Sequence, residues 1–159
     1  MLGHTKNRNC QSFMYMEFEI RVANISPPLN EEDYKKVAEK FLKAIGYMNN
    51  NDTIESPSYK LFELFLLHPN RQWTIDEIIM ELNVTKATVY RHLNKLKGMD
   101  LLEEEKMGEG KKVKKTYKLR YGNIAKAWSF VEAHVKVAME NYNETVSHLQ
   151  NLLERRFLK

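Results

Sequence analysis

The chain has 159 residues, 43% hydrophobic and 29% charged, with a formal net charge of +4; it has the length of one domain, or one small domain plus an extension. No stretch approaches the ~18 consecutive apolar residues of a membrane span, and residues 1–13 lack a signal peptide's apolar centre, so no membrane partner is expected. The single Cys10 excludes an internal disulfide framework and a cysteine metal cluster, which fits a reducing, cytoplasmic setting.

Residues 1–30 read as a tail. Residues 1–13 show no periodicity and are expected to be disordered, with Met14 and Met16 as possible starts, and Tyr15 to Val22 alternates as a short strand would. Pro27-Pro28 breaks the chain. In the next unit, residues 31–56, Tyr34, Val37, Phe41, Ile45 and Met48 recur at helical steps and predict a helix over 31–48. Glu31, Glu32 and Asp33 at its start complement the helix dipole, and Asn49 to Asp52 form a polar loop.

Residues 57–120 form a denser unit. Ser58 to Leu67 reads as a strongly apolar helix, stopped at His68-Pro69 because proline cannot continue it. Gln72 to Thr74 predicts a one-bridge strand. Thr74-Ile75-Asp76-Glu77 has capping-box spacing, and the helix it starts places Ile75, Ile78, Ile79 and Leu82 on one face. Thr85 is the next N-cap. The following helix, residues 86–97, buries Val89, Leu93 and Leu96, with Gly98 expected to close it in a left-handed conformation. A hairpin follows, with strands over 101–107 and 113–120 and a turn at Gly108-Glu109-Gly110. Val113, Tyr117 and Leu119 are expected on one face of its second strand, and Lys112, Lys114, Thr116, Lys118 and Arg120 on the other.

Charge is concentrated here. Residues 84–120 carry 11 Lys and Arg against 5 Asp and Glu, a larger surplus than that of the whole chain. Such a patch attracts polyanions. Two short helices on a tight turn, followed by a hairpin with a basic tip, have the order of a helix-turn-helix with a wing, whose second helix enters a major groove. At ~100° per residue, Arg91, Ala87 and Asn94 lie opposite Val89, flanked by Tyr90, Lys95 and Thr88. The expected contacts are Arg91 to a guanine edge or phosphate, Asn94 to an adenine edge, Tyr90 to a thymine methyl or the backbone, and Thr85, Lys86 and Lys95 to phosphates. Thr88 completes that face, and Lys111, Lys112, Lys114 and Lys115 of the wing are expected on phosphates.

The segment from Thr74 to Glu105, through Thr85, Thr88, Val89, Arg91, His92, Leu93 and Leu96 and on to Gly98 and Leu101-Leu102, resembles winged-helix transcriptional regulators of the ArsR and MarR-like superfamily, particularly archaeal members. The resemblance covers roughly residues 58–120 and implies a dimeric regulator. Metal-sensing members carry a thiolate pair on an early helix, or an acidic-x-His and His-x-x-Glu site on the last one. This chain has only Cys10, and although Glu132-x-His134 and His148 are present, Asn151 stands where the final carboxylate belongs. No metal or other cofactor is expected, and no effector is identifiable.

In the last unit, residues 121–159, Ile124, Trp128, Val131, Val135, Ala138, Tyr142, Val146, Leu149 and Leu153 recur at helical steps. A helix from 123 to 157 is ~50 Å long at ~1.5 Å per residue, more than a small winged domain covers, so these residues are expected to form a homodimer interface with additional packing on the first helix. The chain is thus read as mainly α with a small β-hairpin wing and a long C-terminal dimerisation helix. It has no phosphate loop, nucleophile elbow or dinucleotide fingerprint and is not expected to be an enzyme. The competing reading is a winged-helix protein–protein module that leaves DNA sequence unread.

Overall fold

The computed structural model describes residues 18–159. In chain order the elements are α1 (Tyr34–Ala44), α2 (Pro57–Leu67), β1 (Trp73–Thr74), α3 (Ile75–Leu82), α4 (Lys86–Gly98), β2 (Leu102–Met107), β3 (Lys114–Leu119) and α5 (Ile124–Phe157), with 3-10 turns at Gly110–Lys112 and Arg120–Gly122. This is a winged helix-turn-helix followed by one long helix.

Local chemistry sets the helix boundaries. The capping box at α3 is formed on both sides: Thr74 Oγ1 accepts from the Glu77 N–H at 3.2 Å, and Glu77 Oε2 accepts from the Thr74 N–H at 3.0 Å. Such a cap contributes about 1 kcal/mol. Asn83 then takes a left-handed conformation (φ 51°), which asparagine tolerates better than most residues. Thr85 starts α4 by accepting from the Thr88 N–H at 3.2 Å. The turn between the two helices is therefore short and fixed.

One continuous core holds the domain together. Val89, Leu93 and Leu96 of α4 meet Ile78 of α3, Phe62 and Phe65 of α2, Trp73 of β1 and Leu119 of β3, all at most 1% exposed. Each large side chain contributes roughly 1.5–3 kcal/mol by leaving water. Leu42 and Ile45 of the α1 region join the same cluster, and the Tyr47 hydroxyl donates to the Ser58 carbonyl at 2.6 Å.

The sheet is antiparallel in the order β1-β3-β2. Thr74 faces Thr116, while Leu102 faces Leu119 and Glu104 faces Tyr117. The wing turns at Gly108 (φ 99°), where a Cβ would fall 2.5 Å from the Lys112 carbonyl oxygen. Only glycine fits there.

The structure corrects several expectations. Residues 15–17 of the expected first strand, like the tail over 1–13, lie outside the described residues. Residues 18–22 form no strand; they run extended, with the Glu19 N–H donating to Gly98 O and the Arg21 N–H to Ile45 O, each at 3.0 Å. Two isolated hydrogen bonds to loop and helix-end carbonyls make no ladder. α1 spans Tyr34–Ala44, not 31–48, because Asp33 caps it. Its innermost residues are Ala38 and Leu42, whereas Tyr34 is 45% exposed. Gly98 is the last residue of α4, and Asp100 takes the left-handed position instead (φ 61°).

On β3 the expected separation into two faces fails at three places. Thr116 is buried because β1 covers it, and Val113 is exposed because it precedes the paired strand. Arg120 turns inward: its guanidinium donates to the Asp100 carbonyl at 2.7 Å and the Leu102 carbonyl at 3.3 Å, and lies 4.2 Å above the Phe130 ring.

The long helix divides in two. Ala127 and Val131 are fully buried in the chain's own core, and Ile124, Trp128 and Val135 pack against it. The Trp128 ring meets Phe41 edge-on at 5.2 Å. These four expected interface residues, Ile124, Trp128, Val131 and Val135, are therefore occupied within the chain, with Val131 wholly inaccessible. Nearby, the His134 ring stacks on Phe18 at 4.0 Å and its Nδ1 donates to the Asp100 carboxylate at 2.6 Å. From residue 141 onward every residue is exposed. Among the described residues no helix is long and apolar enough to cross a membrane.

Candidate nucleic-acid interface

With Val89, Leu93 and Leu96 held inward, the helical period presents the opposite side of α4 to solvent. Thr85, Lys86, Tyr90, Arg91, Asn94 and Lys95 are all exposed there. Thr88 is half-buried, and its hydroxyl lies 2.8 Å from that of Thr85. The two threonines thus occupy each other as well as capping the helix. Lys86 lies over the Tyr90 ring at 5.8 Å, and Lys95 reaches back to the Tyr47 carbonyl at 3.4 Å.

The wing stands beside this face. Lys111, Lys112, Lys114 and Lys115 are exposed. A groove of about 480 Å³ runs between α4 and β3, lined by Lys86, Tyr90, Asn94 and Lys97 from the helix, Lys114, Lys115 and Tyr117 from the strand, and Thr74, Ile75 and the acid Asp76 at the start of α3. Helix and wing therefore share one surface. Arg91 and Lys95 lie on the other flank of α4, and Lys111 and Lys112 lie further out at the wing tip, outside this groove.

A carboxylate ties the two elements together. Glu104 on β2 pairs with Lys97 at the end of α4 and with Lys115 on β3, the latter at 3.2 Å. The hydrogen bond from Lys97, assisted by that from Lys115, holds the Glu104 carboxyl below its ordinary range. Glu103 engages Lys118 at 3.5 Å in the same way. Among the described residues, Lys86, Arg91, Lys111, Lys112 and Lys114 form no ion pair, so their charge is available to a ligand.

Lys97 is the groove cation absent from the residues expected to contact DNA. It stands beside the buried Leu96, but it also lies seven positions after Tyr90, two helical turns along the same flank, and that step was the available signal. His92 is a second unforeseen feature. Its Nδ1 is buried without a partner, and burial, reinforced by Arg91 and Lys95, pushes its pKa below the ordinary histidine value.

Residues 64–104, which run from the end of α2 through α3 and α4 into β2, match the family model described as bacterial regulatory protein, arsR family. Over this segment the chain is similar to an arsR-family helix-turn-helix. Solved structures similar to much of the chain include a possible transcriptional regulator from Methanosarcina mazei Go1, 16% identical, covering 79% of this chain and 96% of that one at a TM-score of 0.47. The adhesin competence repressor AdcR of Streptococcus pyogenes is 20% identical, covering 80% and 83% at a TM-score of 0.36. Wild-type ZitR of Lactococcus lactis, in complex with DNA, is 19% identical, covering 84% and 99% at a TM-score of 0.34. No curated protein matches the chain. The ArsR-type match covers the two helices of the motif and the first residues of the wing, and the exposed face of α4 lies within it.

Proposed function

We propose that the chain is a transcriptional regulator that binds double-stranded DNA as a homodimer, reading the major groove with α4 and holding phosphates with the wing. The observation that carries this reading is the groove shared by Lys86, Tyr90 and Asn94 of α4 with Lys114 and Lys115 of the wing. An α-helix fits a major groove ~12 Å wide, and cations on an adjacent hairpin then meet the bordering phosphates. Arg91 and Asn94 are the base-reading candidates. Thr85, Lys86, Lys95, Lys111, Lys112, Lys114 and Lys115 act on phosphates, with Tyr90 on the backbone or a thymine methyl and Thr88 supporting the start of the helix.

The dimer reading rests on the distal part of α5. Tyr142, Val146, Leu149 and Leu153 are 64, 63, 54 and 39% exposed on a helical stripe, with Ala138 at its half-buried start. A second copy covers this stripe and sets two α4 helices about one DNA turn, ~34 Å, apart.

The test is binding of the full chain to random duplex over a salt series, followed by selection of bound fragments from genomic DNA. Salt-sensitive binding that weakens when Lys111, Lys112, Lys114 and Lys115 become Glu is expected. Absence of binding at low salt overturns the reading in favour of a winged-helix protein–protein module.

A further inference from the structure

A second groove, about 630 Å³, flanks α4 on the side away from the wing. One wall is α4 itself, with Arg91, Asn94 and Lys95; the other is the extended segment Glu19–Arg21. Asn94 lines both this groove and the one beneath the wing. The two grooves therefore meet on the outward face of the helix, and the described surface has a cationic element on each flank.

We infer that the N-terminal segment is a third DNA-contacting element, in which Arg21 holds a phosphate on the strand opposite the one gripped by the wing. This rests on the DNA-binding reading above. A helix lying in a major groove has a phosphate backbone on both sides, since the ~10–12 Å width of a helix with its side chains nearly fills the ~12 Å groove. The wing serves one side only. On the other, Arg21 is exposed and forms no ion pair among the described residues.

Arg21 is also held in place. Its N–H donates to the Ile45 carbonyl at 3.0 Å, and the Glu19 N–H donates to the Gly98 carbonyl at 3.0 Å, fixing the segment to the end of α4. Beneath it lies Gly46 (φ 85°), where an added Cβ would come within 3.0 Å of the Arg21 Cβ. The close approach places the guanidinium stem against the loop after α1 while its head stays in water. Among the described residues Glu19 is the only acid lining the groove, and its backbone rather than its carboxylate makes the anchoring bond.

The experiment compares the full chain with its Arg21→Ala, Arg21→Lys and Arg91→Ala variants for binding to random and selected duplexes across salt concentrations, with circular dichroism checking the fold. Loss of one phosphate contact predicts roughly tenfold weaker binding by Arg21→Ala, equal for all sequences, and a salt slope lower by about one. Arg21→Lys keeps the charge and retains most of the affinity. A folded Arg21→Ala variant that binds within twofold of wild type with an unchanged slope, while Arg91→Ala is weakened, overturns the role of Arg21 and leaves the parent reading intact. Failure of the wild-type chain to bind any duplex overturns both.

Discussion

Lys115 on β3 and Glu104 on β2 form a cross-strand ion pair of 3.2 Å, and the same carboxylate also engages Lys97 of α4. The wing is thereby fastened to the helix beside it, and two cations of the candidate DNA face share one acid. Exposed ion pairs of this kind contribute little to stability, roughly 0–1 kcal/mol, so their effect falls mainly on the charge and geometry of the groove.

Replacing Glu104 with Gln is accordingly expected to tighten DNA binding several-fold and steepen its salt dependence, because Lys97 and Lys115 become available to phosphates. The melting temperature should change by only a few degrees. A salt titration by fluorescence anisotropy checks this; weaker binding would mean that the tie positions the wing more than it occupies its lysines. The Glu104 pKa is depressed in the fold, so the stability this carboxylate adds is present above the ordinary carboxylate pKa and is lost as the pH falls through the lower folded value.

The two halves of α5 should respond differently to substitution. Val131→Ala removes buried methyl groups from the chain's own core and is expected to cost about 1–3 kcal/mol of stability. Leu149→Glu lies on the exposed distal stripe and is expected to separate the dimer while each chain stays folded. Sedimentation velocity at micromolar concentration, paired with thermal denaturation, distinguishes the two effects. A wild-type monomer under those conditions would refute the role given to the distal stripe.

His92 makes stability depend on pH near neutrality. Burial and the neighbouring Arg91 and Lys95 charges depress its pKa from the ordinary 6.5. The unfolded chain therefore takes up a proton on this side chain before the folded one does. Its contribution is fully retained above about pH 6.5 and declines as the pH drops through the folded value. The melting temperature should fall between pH 7.5 and 5.5 in wild type and fall less in His92→Gln. Parallel profiles for the two proteins would exclude His92 as the source.

Much of this molecule is written locally. The caps expected at Thr74 and Thr85 each make their hydrogen bond to a backbone N–H in the first helical turn, and the buried line Val89, Leu93, Leu96 fixes which side of α4 faces outward. These features depend on neighbours within one or two turns, so spacing alone reveals them. The basic wing is legible for the same reason, since its lysines fall within a single short hairpin.

What the residues could not disclose is which surface meets which. An apolar stripe on α5 reads the same whether it packs on Phe41 of its own chain, as Trp128 does, or faces solvent, as Tyr142 does. Arg120 looks like another wing cation until the exit of α4 presents the Asp100 and Leu102 carbonyls to it, and Arg21 appears unrelated to α4 until the fold brings residues some 70 positions apart to one groove. Periodicity records that a side is apolar or charged; partner choice is a long-range property, settled only when the three-dimensional packing selects among chemically equivalent sides.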